Sequence, residues 1–576
     1  MNAPQASQAG SPMPAAATPA ASAWAPFRHR LFAAMWGAQF VSNVGSWMQT
    51  VAAQWLMLTL TGSAAYVALV QTAAGLPVVL FAVLAGTIGD LVDRRRFLLV
   101  TQALMLVAAA ALGALALAGL VTPWVLLALL FAVGTGQALT SPTWQTLQPE
   151  LVSPAERPQA ISLGAVNQNL ARAVGPAIGG VLLAATSSGT VFLVNAATFA
   201  AVLAVLTGWH AAARAPDALP REHVGEAIRA GARYVAASPA LRVILARAAL
   251  FIFFASAVWA LLPLTAQSAL HLGSGGYGLL LGAVGVGAVA GAVLLPRIRA
   301  RLSPNAMLVV GSLGMAVVTF ALAVAHVTVV AAVALALGGA CWILSLSTLN
   351  SLYQLSLPQW IKARGVSYYL VVFQGGNAVG SAVMGITAEH AGLTPTLSAA
   401  AAGLALGPLA GLRWKFRRIA PEDLLPAGDW PAPQLASRPA ALGGTAPDGT
   451  EDDGGAADGV AAPTGPVLVS VEYRARPGQA TELIAALRDT RFSRRRTGAT
   501  SWRAWQDAAD PDRILEQFVV ASWTGHLRQH EHVTRRDQAR LDRLAAMSDP
   551  DHPPAVTHWL MPPRGRHAGH EPPAAP

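Results

Sequence analysis

Gly86-Thr87-Ile88-Gly89-Asp90-Leu91-Val92-Asp93-Arg94-Arg95-Arg96 closes one apolar run and precedes another. Residues 65–89 before the acid and 97–119 after the arginines carry no charge at all. Each run is long enough to cross a ~30 Å hydrocarbon core as a helix. The charges therefore mark a membrane border. Glycines there let helices approach closely, an acid at the edge can face a helix N-terminus, and the arginines either pair across a gap or anchor the helix ends.

The same alternation continues along the chain. Twelve apolar stretches fall at about 30–60, 65–89, 97–119, 122–148, 160–184, 190–212, 241–267, 275–297, 304–326, 328–356, 365–390 and 393–413. One set of breaks carries Arg94 to Arg96, Arg157, Arg214 through Arg242, Arg297 to Arg301, and Lys362 with Arg364. Arg28 and Arg30 precede the first stretch, and Arg413 to Arg418 follow the last. The alternate breaks, such as Thr61-Gly62-Ser63 and Ser187-Ser188-Gly189, have neither Lys nor Arg. The positive-inside rule then puts both termini in the cytoplasm, which requires an even number of spans. Composition agrees, with 54% hydrophobic and 12% charged residues among 576, where a soluble protein has roughly 25% charged. A soluble enzyme and a disordered chain are excluded. The net charge of +10 is a topology signal, so no nucleic-acid partner is expected. The lone Cys341 permits no intrachain disulfide.

Residues 1–25 read as a disordered tail and 26–418 as the membrane domain. Within it, His223 to Tyr234 has the pattern of an amphipathic surface helix dividing the spans six and six. The halves echo each other: Gln148-Pro149-Glu150-Leu151 through Arg157 corresponds to Leu357-Pro358-Gln359-Trp360 through Arg364. A transporter built of two related halves would show such a repeat. Residues 419–465 form an acidic Pro/Gly/Ala linker. Residues 466–562 have the strand and helix order βαββαβ, with strands expected at 467–473, 501–507, 514–523 and 556–561, and helices at 478–496 and 526–547. That is the ferredoxin-like split. Residues 563–576 read as a second disordered tail. The fold class is thus an all-α polytopic membrane protein of twelve transmembrane helices, followed by an α+β ferredoxin-like domain.

Polar stripes mark candidate binding faces. Gln39, Asn43, Ser46, Thr50 and Gln54 recur at helical spacing in the first span, and Gln137, Ser141, Gln145 and Gln148 do so in the fourth. Ser347, Ser351 and Gln354 mark the tenth span; Gln374, Asn377 and Ser381 mark the eleventh. Such stripes line a wet cavity or serve as interhelical glue. Arg172, one turn after Gln168, sits near the bilayer middle, where an Arg costs at least ~2.5–3.5 kcal/mol. It holds an anionic substrate, sets a gate, or bonds structurally to Gln168 or to carbonyls near Gly175. No Asp or Glu lies deep in a span; Glu389 is at the outer end of the eleventh. A permanent cation is therefore a poor substrate, and an anionic or neutral amphipathic molecule, stacked on Trp47, Trp55, Trp144 or Trp259, fits better.

Three motifs add a resemblance. The GxxxD at Gly86–Asp90 with its basic cluster resembles the signature loop of the major facilitator superfamily. Gly175-Pro176-Ala177-Ile178-Gly179-Gly180 resembles that superfamily's antiporter motif. Ser42-Asn43-Val44-Gly45-Ser46-Trp47-Met48-Gln49-Thr50-Val51-Ala52 is similar to a branch of enterobactin exporters and drug efflux proteins. The match covers about residues 30–418; it departs at Leu91, usually Arg or Lys, and at Asp93, usually Gly. The resemblance implies alternating access, with gating by Gly86, Asp90, Arg94, Arg95, Arg96, Gly175, Pro176 and Gly179. It also implies proton-coupled export of a siderophore or drug-like compound across a bacterial inner membrane; an importer of the same fold is the alternative direction. The expected substrate contacts are Gln39, Asn43, Trp47, Gln137, Ser141, Gln168, Arg172, Gln354, Gln374 and Asn377.

Ser522-Trp523-Thr524-Gly525-His526 through His532 resembles the antibiotic-biosynthesis-monooxygenase group, with Gly525 and His532 as departures. This domain is either a dimerising module, giving a homodimer, or a membrane-tethered oxidoreductase using Trp502, Trp505, Glu516, Trp523 and His526. The module is the reading adopted, with no cofactor. His526 and His530 lack a positioned third ligand, so no metal is expected.

Overall fold

Apolar runs bounded by glycine, proline and hydroxyl residues become helices because membrane hydrocarbon leaves backbone groups no partner but their own helix. The computed structural model describes residues 22, 24–91, 93–209, 224–413, 416, 421–427 and 465–561. The first six helices are α1 (Arg30–Thr61), α2 (Ala64–Leu91), α3 (Arg94–Leu117), α4 (Pro123–Leu147), α5 (Arg157–Ala185) and α6 (Ser188–Gly208). The amphipathic α7 (Val224–Ala236) follows, then α8 (Pro239–Leu264), α9 (Ser274–Arg301), α10 (Pro304–Val324), α11 (Thr328–Leu355), α12 (Lys362–Ala391) and α13 (Leu393–Arg413). Starts are capped as the residue types demand: Asp93 accepts from the Arg96 N–H at 2.9 Å, and Thr122 and Ser303 each precede a first-turn proline. Gly62, at φ 63°, ends α1 in the left-handed region.

Nine of the described helices are long and apolar enough to cross a membrane. The 32-residue α1 and the 29-residue α5 are not among them. They fall short in apolarity, not length: α1 carries Gln39, Asn43, Ser46, Thr50 and Gln54, and α5 carries Gln168 and Arg172.

The two halves repeat one packing plan. α1 packs on α5 and α6, α2 on α4, and α3 on α4 and α6; correspondingly α8 packs on α12 and α13, α9 on α11, and α10 on α11 and α13. The halves meet along two long seams, α2 with α12 and α5 with α9, which exchange under the same correspondence. A shared core joins them, including Met57, Val67, Ile252, Leu261, Tyr277 and Leu280.

The C-terminal domain consists of β1 (Val467–Arg474), α14 (Ala480–Thr497), β2 (Ala499–Gln506), β3 (Arg513–Val520), α15 (Trp523–Glu531), α16 (Arg535–Met547) and β4 (Ala555–Leu560). The strands form one antiparallel sheet in the order β2-β3-β1-β4. Val469, Val471 and Phe518 on one face pack with Leu483, Leu487 and Leu544 of the helices. Trp505 and Trp559 stand exposed.

Two features differ from expectation. The second helix is broken, because Thr534 starts α16 by accepting from the Asp537 N–H, while Val533 and Arg535 turn their backbone groups outward to another segment. That segment is Leu425–Ala427, at the start of the stretch read as a linker: the Ala427 N–H donates to Val533 O and the Arg535 N–H to Leu425 O. The domain also touches the membrane domain, with the His532 ring stacked on Trp360, in the short turn before α12, at 3.7 Å between centroids.

Candidate functional site

The Gly-Pro motif of α5 is a packing device on two sides. A Cβ on Gly175 would lie 2.6 Å from Trp47 Cβ, and one on Gly179 would lie 2.7 Å from Met48 Cα, so these glycines seat α5 against α1. Gly180 faces the other half, where its Cα lies against Gly278 of α9 with no room for a side chain on either. Pro176 is buried in the same turn, and α5 runs through it without a break.

Above this contact lies a polar ladder. Gln39 donates to Asn43 Oδ1 at 2.9 Å, Asn43 donates to Asn167 Oδ1 at 2.8 Å, and Asn167 donates to the Trp36 carbonyl at 2.9 Å. Asn167 is fully buried. The stripe of α1 thus splits by partner: Gln39 and Asn43 face α5, and Ser46 accepts from Gln137 of α4 at 3.1 Å. Gln54 crosses to the second half, donating to the Trp259 carbonyl and accepting from the Tyr277 hydroxyl at 2.7 Å.

Arg172 sits one turn beyond Gln168, half-buried, with its guanidinium 5.3 Å from the Trp47 ring centroid. Its Nε is buried without a hydrogen-bond partner among the described residues. Gln137, Ser141 and Gln168 are exposed. Of the remaining candidates, Gln354 donates to Asn350 of its own helix at 3.0 Å, Gln374 lies against Gly75 across the α2–α12 seam, and Asn377 is half-buried on α12. Ser347 and Ser351 both accept from Arg299 of α9.

Cross-half contacts between described residues include Ser63 with Glu389, Ala68 with Gly385, Thr72 with the Ala378 carbonyl, Gln54 with Trp259, and Gly180 with Gly278, and they continue along the seams to Gly375 with Val79 and Gly285 with Ala173.

Among the described residues the basic cluster has partners within the first half. Arg94 donates to both oxygens of Glu150 at 2.9 Å, within the first half. Arg95 caps α6, donating to the Leu206 and Thr207 carbonyls at 3.2 and 2.6 Å, where a cation suits the helix dipole. Arg96 is exposed. The side chains of Gly86 and Asp90 lie outside the described residues.

In the C-terminal domain, Glu516 is fully buried. Its oxygens accept from Arg494 at 3.2 and 3.1 Å, Trp502 at 2.8 Å and Tyr473 at 3.1 Å. Burial alone would raise its pKa; Arg494 and the hydrogen bonds together hold it below the usual carboxylate range. It is a satisfied structural acid, with no free oxygen to act as a base. His526 bonds Gln529 and His558, and burial pushes its pKa down to about 4. Among the described residues no group of three ligands could hold a metal.

Sequence reasoning missed Asn167, Tyr277 and the Ser63–Glu389 contact. Only Glu389 carried a signal, as a carboxylate on an end otherwise without acids.

The model of the family described as transmembrane secretion effector, a major facilitator group, matches residues 21–445 and 453–566. The chain belongs to this family. This family and the curated relatives are transporters. The staphyloferrin A transporter of Staphylococcus aureus is 31% identical over 170 residues, 29% of this chain and 43% of that one. The multidrug efflux pump Tap of Mycobacterium bovis is 32% identical over 170 residues, 28% of this chain and 40% of that one. The chain thus spans less than half the length of these relatives. The inward-facing, unoccupied structure of a bacterial homologue of the human lysosomal transporter Spinster covers 69% of this chain and 99% of its own, with TM-score 0.55 at 14% identity. That likeness shows the fold.

Proposed function

We propose that this transmembrane secretion effector exports a small anionic or neutral amphipathic molecule, a siderophore or drug-like compound, by alternating access coupled to protons. The observation that carries the reading is Arg172, a guanidinium in mid-helix whose Nε has no partner among the described residues and whose described contact is the face of Trp47. A buried cation without a carboxylate is costly, and an anionic group of a substrate would satisfy it. Asn43, Gln137, Ser141, Gln168, Gln354, Gln374 and Asn377 line the water-filled space around it; Gln39 positions Asn43.

By the positive-inside rule the arginine-bearing end is cytoplasmic, with both termini on that side and all twelve long helices spanning an inner membrane. The end where Ser63 meets Glu389 then faces outward, and the proposed state is inward-open. Opening outward requires α2 and α12 to part while α5 and α9 pivot on Gly180 and Gly278. Gly86, Asp90 and the Arg94–Arg96 cluster close the cytoplasmic side in the alternate state. The C-terminal domain is a dimerising module, its uncovered sheet face carrying Trp505 and Trp559. The names of the two curated relatives favour an iron-chelating metabolite or a drug as cargo.

The test is energised uptake into everted membrane vesicles, comparing a carboxylate-rich iron chelator with a panel of neutral and cationic drugs. Uptake of anionic or neutral compounds that Arg172→Ala abolishes at normal expression is expected. Transport restricted to permanent cations, or undiminished in Arg172→Ala, would overturn the substrate assignment.

A further inference from the structure

We infer that Glu389 is the latch of the outer gate: a gating residue of the second half that holds the first half shut by capping α2. The inference rests on the alternating-access reading. Ser63 immediately precedes α2, and its Oγ accepts from the Tyr66 N–H at 3.3 Å, the geometry of an N-cap. The same hydroxyl donates to Glu389 Oε2 at 2.9 Å, and that oxygen also accepts from the Ala65 N–H at 3.4 Å. The N-terminus of a first-half helix is therefore completed by a carboxylate from the second half. Negative charge is favoured at that position by the helix dipole.

The latch stands at the tip of a longer closure. Below it α2 and α12 run antiparallel in close register, with Gly385 against Ala68, the Thr72 hydroxyl donating to the Ala378 carbonyl at 2.9 Å, and Gly75 against Gln374. Separation of this seam must break the Glu389 contacts, since they cross it at the outermost turn. Composition sharpens the assignment. Among the described residues Glu389 is the only carboxylate at this end of the bundle. Elsewhere in the seam the partners are small apolar groups, hydroxyls and backbone, which separate without exposing a charge.

The distance across the seam is the direct readout. Leu60 and Ala391 are both exposed near it, and Cys341 is the only cysteine. Spin labels on Leu60→Cys and Ala391→Cys, in a Cys341→Ser background reconstituted in nanodiscs, report closed and open populations. Glu389→Gln, which keeps size and removes charge, is expected to lower the closed-to-open ratio roughly three- to tenfold, the range for a partly exposed charged hydrogen bond. Ser63→Ala should act in the same direction, the double variant by less than the product of the two, and Glu389→Asp should restore part of the ratio. A purely structural residue would lower thermal stability without this population shift or its conservative rescue. Unchanged distances in Glu389→Gln and Ser63→Ala, with wild-type transport intact in vesicles, would overturn the latch alone. A shifted ratio in a protein that transports nothing would sustain the latch and sink the transport reading instead.

Discussion

Arg494 of the C-terminal domain and Arg172 of the membrane domain have opposite surroundings. Arg494 in α14 lies in a completed site: a two-point pair with Glu516, which also takes bonds from Trp502 and Tyr473, and the face of Phe518 at 4.6 Å. Arg172 in α5 has the face of Trp47 and an Nε with no partner among the described residues. The comparison separates two uses of a buried charge. Where a carboxylate meets the guanidinium at two points, the cation is part of the core; where Nε is left over among the described residues, the proposed function assigns the missing partner to the substrate.

The largest effect is expected where the charge is fully paired. Arg494→Met leaves Glu516 buried and unpaired, and should destabilise the C-terminal domain by about 3–5 kcal/mol. Denaturant titration followed by tryptophan fluorescence reads this, because Trp502 donates to the same carboxylate. Arg494→Met combined with Glu516→Leu should recover most of the loss. A single variant costing less than about 1 kcal/mol would make the contrast between the two arginines empty.

Arg172→Ala should behave in reverse, with anion transport falling at least about tenfold, ~1.4 kcal/mol, and the thermal midpoint in detergent not lowered. Arg172→Lys keeps the charge without the planar fork and should lie between. A large drop in midpoint would move Arg172 into the structural class with Arg494.

Asn167→Ala sharpens the boundary between them. It strips partners from Asn43 and from the Trp36 carbonyl, and should cost about 1–2 kcal/mol, read as a lower midpoint with the substrate preference unchanged. A changed preference would place the ladder in the binding site.

The smallest effect is a pH slope. His526 and His530 have folded pKa values pushed to about 4 by burial, from an ordinary 6.5. The unfolded chain therefore binds more protons between those values. Stability is complete above pH ~6.5 and falls toward pH 4, by about 1 kcal/mol after discounting for solvent screening. Glu516 and Asp537, held low, add their losses only at more acid pH. The midpoint of the C-terminal unfolding transition should drop from pH 7 to 5, and His526→Gln should flatten that slope.

The helices of both halves and the strand order of the C-terminal domain were legible because each is dictated within a short window. Hydropathy places α1 to α6 and α8 to α13 to within a few residues, and Thr122, Ser187 and Ser303 announce their starts. The break at His532–Thr534 was not legible, since it depends on Leu425–Ala427 arriving from more than a hundred residues away. The candidate site was legible as residue types and opaque as partners. Gln39 and Gln54 sit on one periodic stripe, yet one faces α5 through Asn43 and the other reaches across to Trp259 and Tyr277.

By itself the sequence determined a membrane domain with its positive end marked, a division into two halves, and an appended α+β domain. Each follows from local burial preference, charge placement and turn chemistry. Only tertiary structure decided how Arg494 is partnered, along which helices the halves meet, and that Glu389 completes a helix belonging to the other half. Those depend on contacts between helices far apart in the chain, where satisfaction of a polar group is a property of the pair.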